Sequence, residues 1–282
     1  MFVDKVLGVK NKLKNSGFSL TEMLLAIGIL SVGMVFIAGV FPVAIHFTTI
    51  STERTIAAVV ADEAFAKIKL YADPECDGIS NIDFGFLQLN NQVSFNDPNV
   101  FSGAINIAPG EFTYPSTDTD ISQKHYCFSA LCRLTAPNSR LVQVTVFISR
   151  KIGPILRYYA PNMTLMPSDP DYGKVVDFSG AITVDWPRPV KVVVVADLVK
   201  PNVIHIFRPQ ERKFINDGCR ILDNAAGRIY RVMECYPPPD DDTILLDGDW
   251  QVGSENNVWV VPPPTGGGRY PCIAVYQKEI RF

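Results

Sequence analysis

The sequence predicts an α+β protein: a long hydrophobic N-terminal helix docked on an antiparallel β-sheet head, with an additional β-rich C-terminal module. Three observations predict it. Residues Met23–Phe47 contain no Asp, Glu, Lys or Arg. Ile56, Ala57, Val60, Ala61, Ala64, Phe65 and Ile68 then recur at helical spacing. From residue 75 the pattern changes to short alternating or apolar runs broken by Gly, Pro, Asn and Asp.

The uncharged run of 25 residues would cover about 37 Å as a helix, enough to cross a hydrocarbon core of about 30 Å. Lys5, Lys10, Lys12 and Lys14 precede it. They orient the N-terminus toward the cytoplasm and the bulk of the chain outside. A secretory signal has an apolar core of only about 7–15 residues followed by a small-residue cleavage site. A plain membrane anchor explains the length and the lysines. It leaves Glu22 unexplained, because a carboxylate at the start of a membrane helix is costly and marks a functional position.

Residues 17–22 read GFSLTE and run into MLLAIGILSVGMVFIAGVFP. This stretch resembles the prepilin signal of type IV pilins and type II secretion pseudopilins. The resemblance implies that a prepilin peptidase cuts after Gly17 and methylates the new amine of Phe18. Residues 1–17 are then a leader, and 18–72 a membrane and filament stem. Glu22 matches the glutamate that the family uses in filament assembly. The other partners implied are further pilins or pseudopilins and the inner-membrane assembly platform. The implied location is the bacterial inner membrane, crossed once, with the head periplasmic, and then the filament.

The offsets make physical sense without the family. A cut after Gly17 leaves a cationic amine on Phe18, one helical turn from Glu22. A charge in an apolar setting needs a partner. That partner is either the amine of a neighbouring subunit, which would also fix axial register, or the amine or helix N-terminus of Glu22's own chain. Pro42 removes a backbone bond inside the stem and is expected to kink or locally melt it.

The stripe Ile56–Ile68 is the face expected to dock on the head, and Asp73-Pro74 is expected to end the helix. In the head, strands are expected near 83–88, 124–135, 140–150, 190–197, 203–207, 219–223, 228–235, 243–247, 257–261 and 272–281. Residues 141–149 alternate, with Val142, Val144, Val146 and Ile148 on one face and Leu141, Gln143, Thr145, Phe147 and Ser149 on the other. Apolar residues on both faces predict a central strand. It would pair with 124–135 around Pro137-Asn138. Residues 75–152 are assigned to a minor-pilin-like β head, and 153–282 to the β-rich module. There, 219–235 reads as a hairpin turning at Asn224–Gly227. Cys219 and Cys235, near its ends, are the candidate disulfide among the six cysteines.

Little else suggests chemistry. The sequence holds no nucleophile elbow, P-loop or HExxH, and its three histidines are dispersed. No enzymatic activity is expected. A net charge of −3, with no basic stretch beyond the N-terminus, gives no electrostatic support for nucleic-acid binding. Asp240, Asp242, Asp247 and Asp249 form an oxygen-rich run of the kind that attracts Ca²⁺, although EF-hand spacing is absent and a solvated acidic turn is the simpler reading. No other cofactor is expected. The reading is therefore a structural subunit, minor or tip-proximal. Its rival is a membrane-anchored extracytoplasmic binding module that does not polymerise.

Overall fold

The computed structural model describes residues 19–71, 85–86, 88–89, 93–94, 112–115, 124–136, 141–152, 156–159, 183–184, 186–237, 242–251 and 255–281. The chain divides into two units, Met1–Thr52 and Glu53–Phe282. Helix α1 spans Leu20–Tyr71, so it begins in the first unit and ends in the second.

In the first unit the helix carries the apolar run. Leu24, Leu25, Ile29, Val35, Phe36 and Phe47 are all exposed. The helix is long and apolar enough to cross a membrane, and its most apolar stretch is unburied. Pro42 lies inside α1, and the helix continues through it without a break. The local melting expected there does not occur. The hydroxyls of this segment fold back on the helix. Ser31 donates to the Ile27 carbonyl at 2.7 Å, and Thr49 to that of Ile45 at 2.9 Å. Such bonds hide polar groups on an apolar surface.

The second unit is built on a sheet. The described strands, in chain order, are β1 (Gly85–Phe86), β2 (Gln88–Leu89), β3 (Val93–Ser94), β4 (Thr113–Tyr114), β5 (Tyr126–Leu134), β6 (Leu141–Arg150), β7 (Tyr158–Tyr159), β8 (Thr183–Val184), β9 (Val190–Ala196), β10 (Val203–Ile206), β11 (Arg220–Asp223), β12 (Ile229–Cys235), β13 (Thr243–Leu246), β14 (Glu255–Val260) and β15 (Cys272–Arg281). The main sheet runs β1-β5-β6-β15, with β4 also on β5. β5 and β6 are antiparallel, from Tyr126↔Arg150 to Leu134↔Val142. β6 is central, as its alternation predicts.

Its two faces have different partners. Val142, Val144, Val146 and Ile148 pack with Ala57, Val60, Ala61, Ala64, Phe65 and Ile68 of α1. The predicted stripe is thus the docked face. Phe147, with Leu131 and Cys272, instead packs against Leu222, Trp259 and Val261. Those residues belong to or adjoin a closed antiparallel barrel, ordered β9-β10-β13-β12-β11-β14. Val190, Val192 and Val194 pack in the barrel core with Ile204, Ile221, Val232, Ile244 and Val258. A 3-10 helix, Pro209–Phe214, adds Phe214 to this core.

Two expectations change here. The last strand does not stay with the module assigned to 153–282. β15 pairs with β6 from Cys272↔Ser149 to Arg281↔Leu141, so the barrel is inserted between two neighbouring strands of the main sheet. Alternation marks a strand but does not name its partner. The small pairs β2–β3 and β7–β8 were not expected either.

The hairpin of β11 and β12 turns where predicted. Gly227 takes a φ of +70°, which favours glycine. The Arg133 guanidinium bonds the Ala225 carbonyl and, at 2.8 Å, that of Ala226. Gln277 donates to the Gly227 carbonyl at 2.7 Å. The turn is therefore seated on the main sheet by side chains of β5 and β15.

Candidate functional site

The helix start is assembled from four consecutive residues, SLTE. Ser19 precedes the first helical residue. Its backbone N–H donates to Glu22 Oε2 at 3.0 Å, and its hydroxyl donates to the same oxygen at 3.3 Å. The Glu22 N–H in turn donates to Ser19 Oγ at 3.3 Å. This is a capping box, in which two otherwise orphaned amides are satisfied reciprocally. Glu22 is exposed, and its charge lies at the positive end of the helix dipole. Of the partners weighed for Glu22, the structure supplies its own helix N-terminus. Gly17 and Phe18 lie outside the described residues.

The capping box was missed in the sequence, although its signal was present: Ser followed by Glu three residues on, just before an apolar run.

Residues 12–38 match the family model of the prokaryotic N-terminal methylation motif. The chain carries a prepilin-type methylation signal. The matched stretch includes Gly17, Phe18 and Glu22 and runs well into the exposed apolar part of α1. With the apolar helix and the antiparallel sheets, the prepilin signal is consistent with a pilin-like α+β protein. Comparison with curated proteins and with solved structures finds no match.

The remaining candidates do not come together. Cys219 and Cys235 are free thiols. The hairpin register pairs Arg220 with Arg231, which sets Cys219 opposite Val232 rather than Cys235. Cys219 lies in the barrel core, whereas the Cys235 thiol donates to the Ile215 carbonyl at 3.7 Å. The spacing had suggested opposition, but the strands meet three residues out of that register. Burial raises the Cys219 thiol pKa and pushes that of Cys235 up to about 11. Both therefore behave as small apolar groups.

The acidic run is likewise divided. Asp240 lies outside the described residues. Asp242 and Asp247 flank the four-residue strand β13, a separation of about 17 Å. Asp242 lies 3.5 Å from His205 Nδ1, Asp247 accepts the Arg231 N–H at 2.9 Å, and the Asp249 carbonyl accepts the Tyr230 hydroxyl at 3.3 Å. Among the described residues, no group of three or more His, Cys, Asp or Glu could hold a metal ion.

Two polar clusters were not legible in the sequence. Glu53, on the docked part of α1, is buried and bonds Arg150 and Arg269. His205 Nε2 lies 3.1 Å from Asp197, whose carboxylate also accepts the N–H groups of Val199 and Lys200. The Lys200 and Val199 amides, followed by His205, hold the Asp197 pKa down to about 2.

Proposed function

We propose that this chain is a structural subunit, minor or tip-proximal, of a type IV pilus or type II secretion pseudopilus. The methylation motif matched at 12–38 carries the reading: Gly17, Phe18 and Glu22 fall within it, and Glu22 lies in the first turn of an exposed apolar helix. In this reading prepilin peptidase, in the inner membrane, cuts after Gly17 and methylates Phe18. The N-terminus faces the cytoplasm and the head faces the periplasm. The apolar helix leaves the bilayer for a bundle of like helices, through the assembly platform, and exchanges lipid contacts for helix contacts.

The electrostatics explain why that exchange selects a register. A carboxylate and an amine moved into an apolar bundle each lose hydration, and pairing offsets that loss only where they meet. In a staggered array, Glu22 of an incoming subunit meets the Phe18 amine of an older one. No enzymatic step is involved. The minor or tip-proximal role rests on the inserted barrel, which enlarges the head. Purified native filaments with this chain as the main band would contradict that role.

The test is Glu22→Ala in the cell of origin. Cleavage and membrane insertion should persist, and recovery in sheared filaments should be lost. The closed barrel favours a second reading. With its edges sealed it is a self-contained module suited to display, as in a membrane-anchored binding protein that never polymerises. Under that reading Glu22→Ala leaves membrane anchoring and ligand binding intact.

A further inference from the structure

Leu198 and Val199 are 93% and 86% exposed, the most exposed large apolar side chains described outside α1. They stand at the tip of the loop between β9 and β10, which reads DLVKPN over 197–202. The backbone of this loop is held on both limbs. Asp197 Oδ1 accepts the N–H groups of Val199 at 2.7 Å and Lys200 at 2.8 Å. The Val203 N–H donates to the Lys200 carbonyl at 3.1 Å. On the second limb, the Pro201 carbonyl accepts the Trp250 N–H at 2.6 Å, and the Asn202 carbonyl accepts the Leu246 N–H at 2.8 Å. A loop fixed in this way cannot fold the aliphatic pair back onto the barrel, and it forgoes the gain of burying them.

The size and setting of the tip select what covers it. A stable protein interface takes about 800 Å² from each partner, and two side chains on a convex tip supply only a fraction of that. A bilayer makes no such demand, because an interfacial contact reaches only about 5–10 Å into the headgroup and acyl boundary. The apolar run of α1 already fastens this chain to a bilayer. A second contact is then intramolecular, at an effective concentration on the order of millimolar, so a shallow insertion suffices. The charges agree. Lys200 is exposed beside Val199, whereas the Asp197 carboxylate is engaged by the two amides and, at 3.1 Å, by His205 Nε2. The tip therefore presents a cation, which fits a headgroup phosphate. Asp247 and Asp249 are exposed on the segment that bonds the second limb, and they disfavour a strongly anionic surface. We propose that the 197–202 loop is a second membrane contact, which inserts Leu198 and Val199 into the surface of a zwitterionic phospholipid bilayer with Lys200 at the phosphates. The inference rests on α1 spanning a membrane and not on the filament reading.

The test uses the full chain reconstituted into phosphatidylcholine vesicles, with plain or brominated acyl chains. The native Trp186, Trp250 and Trp259 are buried and give a constant background. Leu198→Trp places a reporter at the tip, and Phe207→Trp places one at an exposed apolar position past the other end of β10. At interfacial depth, brominated lipid should quench about half of the emission added by Leu198→Trp. It should leave that added by Phe207→Trp unchanged. Val199→Asp in the Leu198→Trp background should abolish the quenching. Equal emission of Leu198→Trp in plain and brominated vesicles would overturn the proposal, as expected if the tip instead meets a protein. Equal quenching at both positions, or quenching that survives Val199→Asp, would overturn it too, since tethering by α1 alone would then bring the barrel near the lipid. Flotation with the vesicles reports the anchor separately: a parent chain that does not float would remove the membrane reading on which the proposal rests.

Discussion

Glu53 of α1 is ion-paired with Arg150 at the end of β6, and its second oxygen accepts from Arg269 at 3.1 Å. One carboxylate thus ties the docked part of the helix both to the main sheet and to the loop before β15. The Glu53 side chain is only 10% exposed, so its charge depends on these partners.

Glu53→Ala is expected to destabilise the second unit by about 2 kcal/mol, below the cost of a fully buried pair because Arg269 is half exposed. Glu53→Gln, which keeps an acceptor, should cost less. Urea unfolding midpoints at constant m-value measure both. Equal midpoints for all three proteins would show that the cluster does not hold the helix.

Gly227 combines two constraints that can be separated. Its φ is +70°, and a Cβ there would lie 2.5 Å from Arg133 Nη2. Gly218 has a similar φ of +77° with nothing within 4 Å. Gly218→Ala should therefore cost only the backbone term, about 1 kcal/mol. Gly227→Ala should cost about 1–2 kcal/mol more, because the Arg133 and Gln143 contacts to the turn must also give way. Thermal melts of the two variants compare them directly, and equal losses would mean that the seat on Arg133 is dispensable.

Burial pushes the Cys235 thiol up to about 11 and the Cys272 thiol up to about 12, from an ordinary 9.0. The unfolded chain therefore ionises first as pH rises. The contribution of these protonated thiols is complete below about pH 9 and is lost between about pH 9 and 12. Unfolding midpoints should fall across that window, and the slope should flatten in Cys235→Ala/Cys272→Ala. An identical slope in the double variant would assign the alkaline loss to other groups.

The parts of the fold visible in the sequence were those that depend on local pattern. The run Met23–Phe47 announced an apolar helix, and Ile56–Ile68 its docked face. The alternation at 141–149 announced a strand covered on both sides. What remained hidden depends on contacts between distant residues. Glu53 meets Arg150 and Arg269 across 97 and 216 residues, and nothing near Glu53 distinguishes it from an exposed helix acid. β14 closes the barrel onto β9 and β11, and β15 returns to β6 past the whole barrel, pairings that side-chain alternation cannot specify. The Cys219–Cys235 expectation failed for the same reason, since proximity to the hairpin ends did not set the register. The Ser19–Glu22 box is the opposite case, a local motif that could have been recognised from SLTE alone.

A filament role requires that the chain be processed as the methylation motif implies. Mass spectrometry of the mature N-terminus, on chain isolated from cells that contain the peptidase, tests this directly. The expected mature chain begins at N-methylated Phe18. A chain that keeps Met1 and the leader through Gly17 in those cells would contradict it.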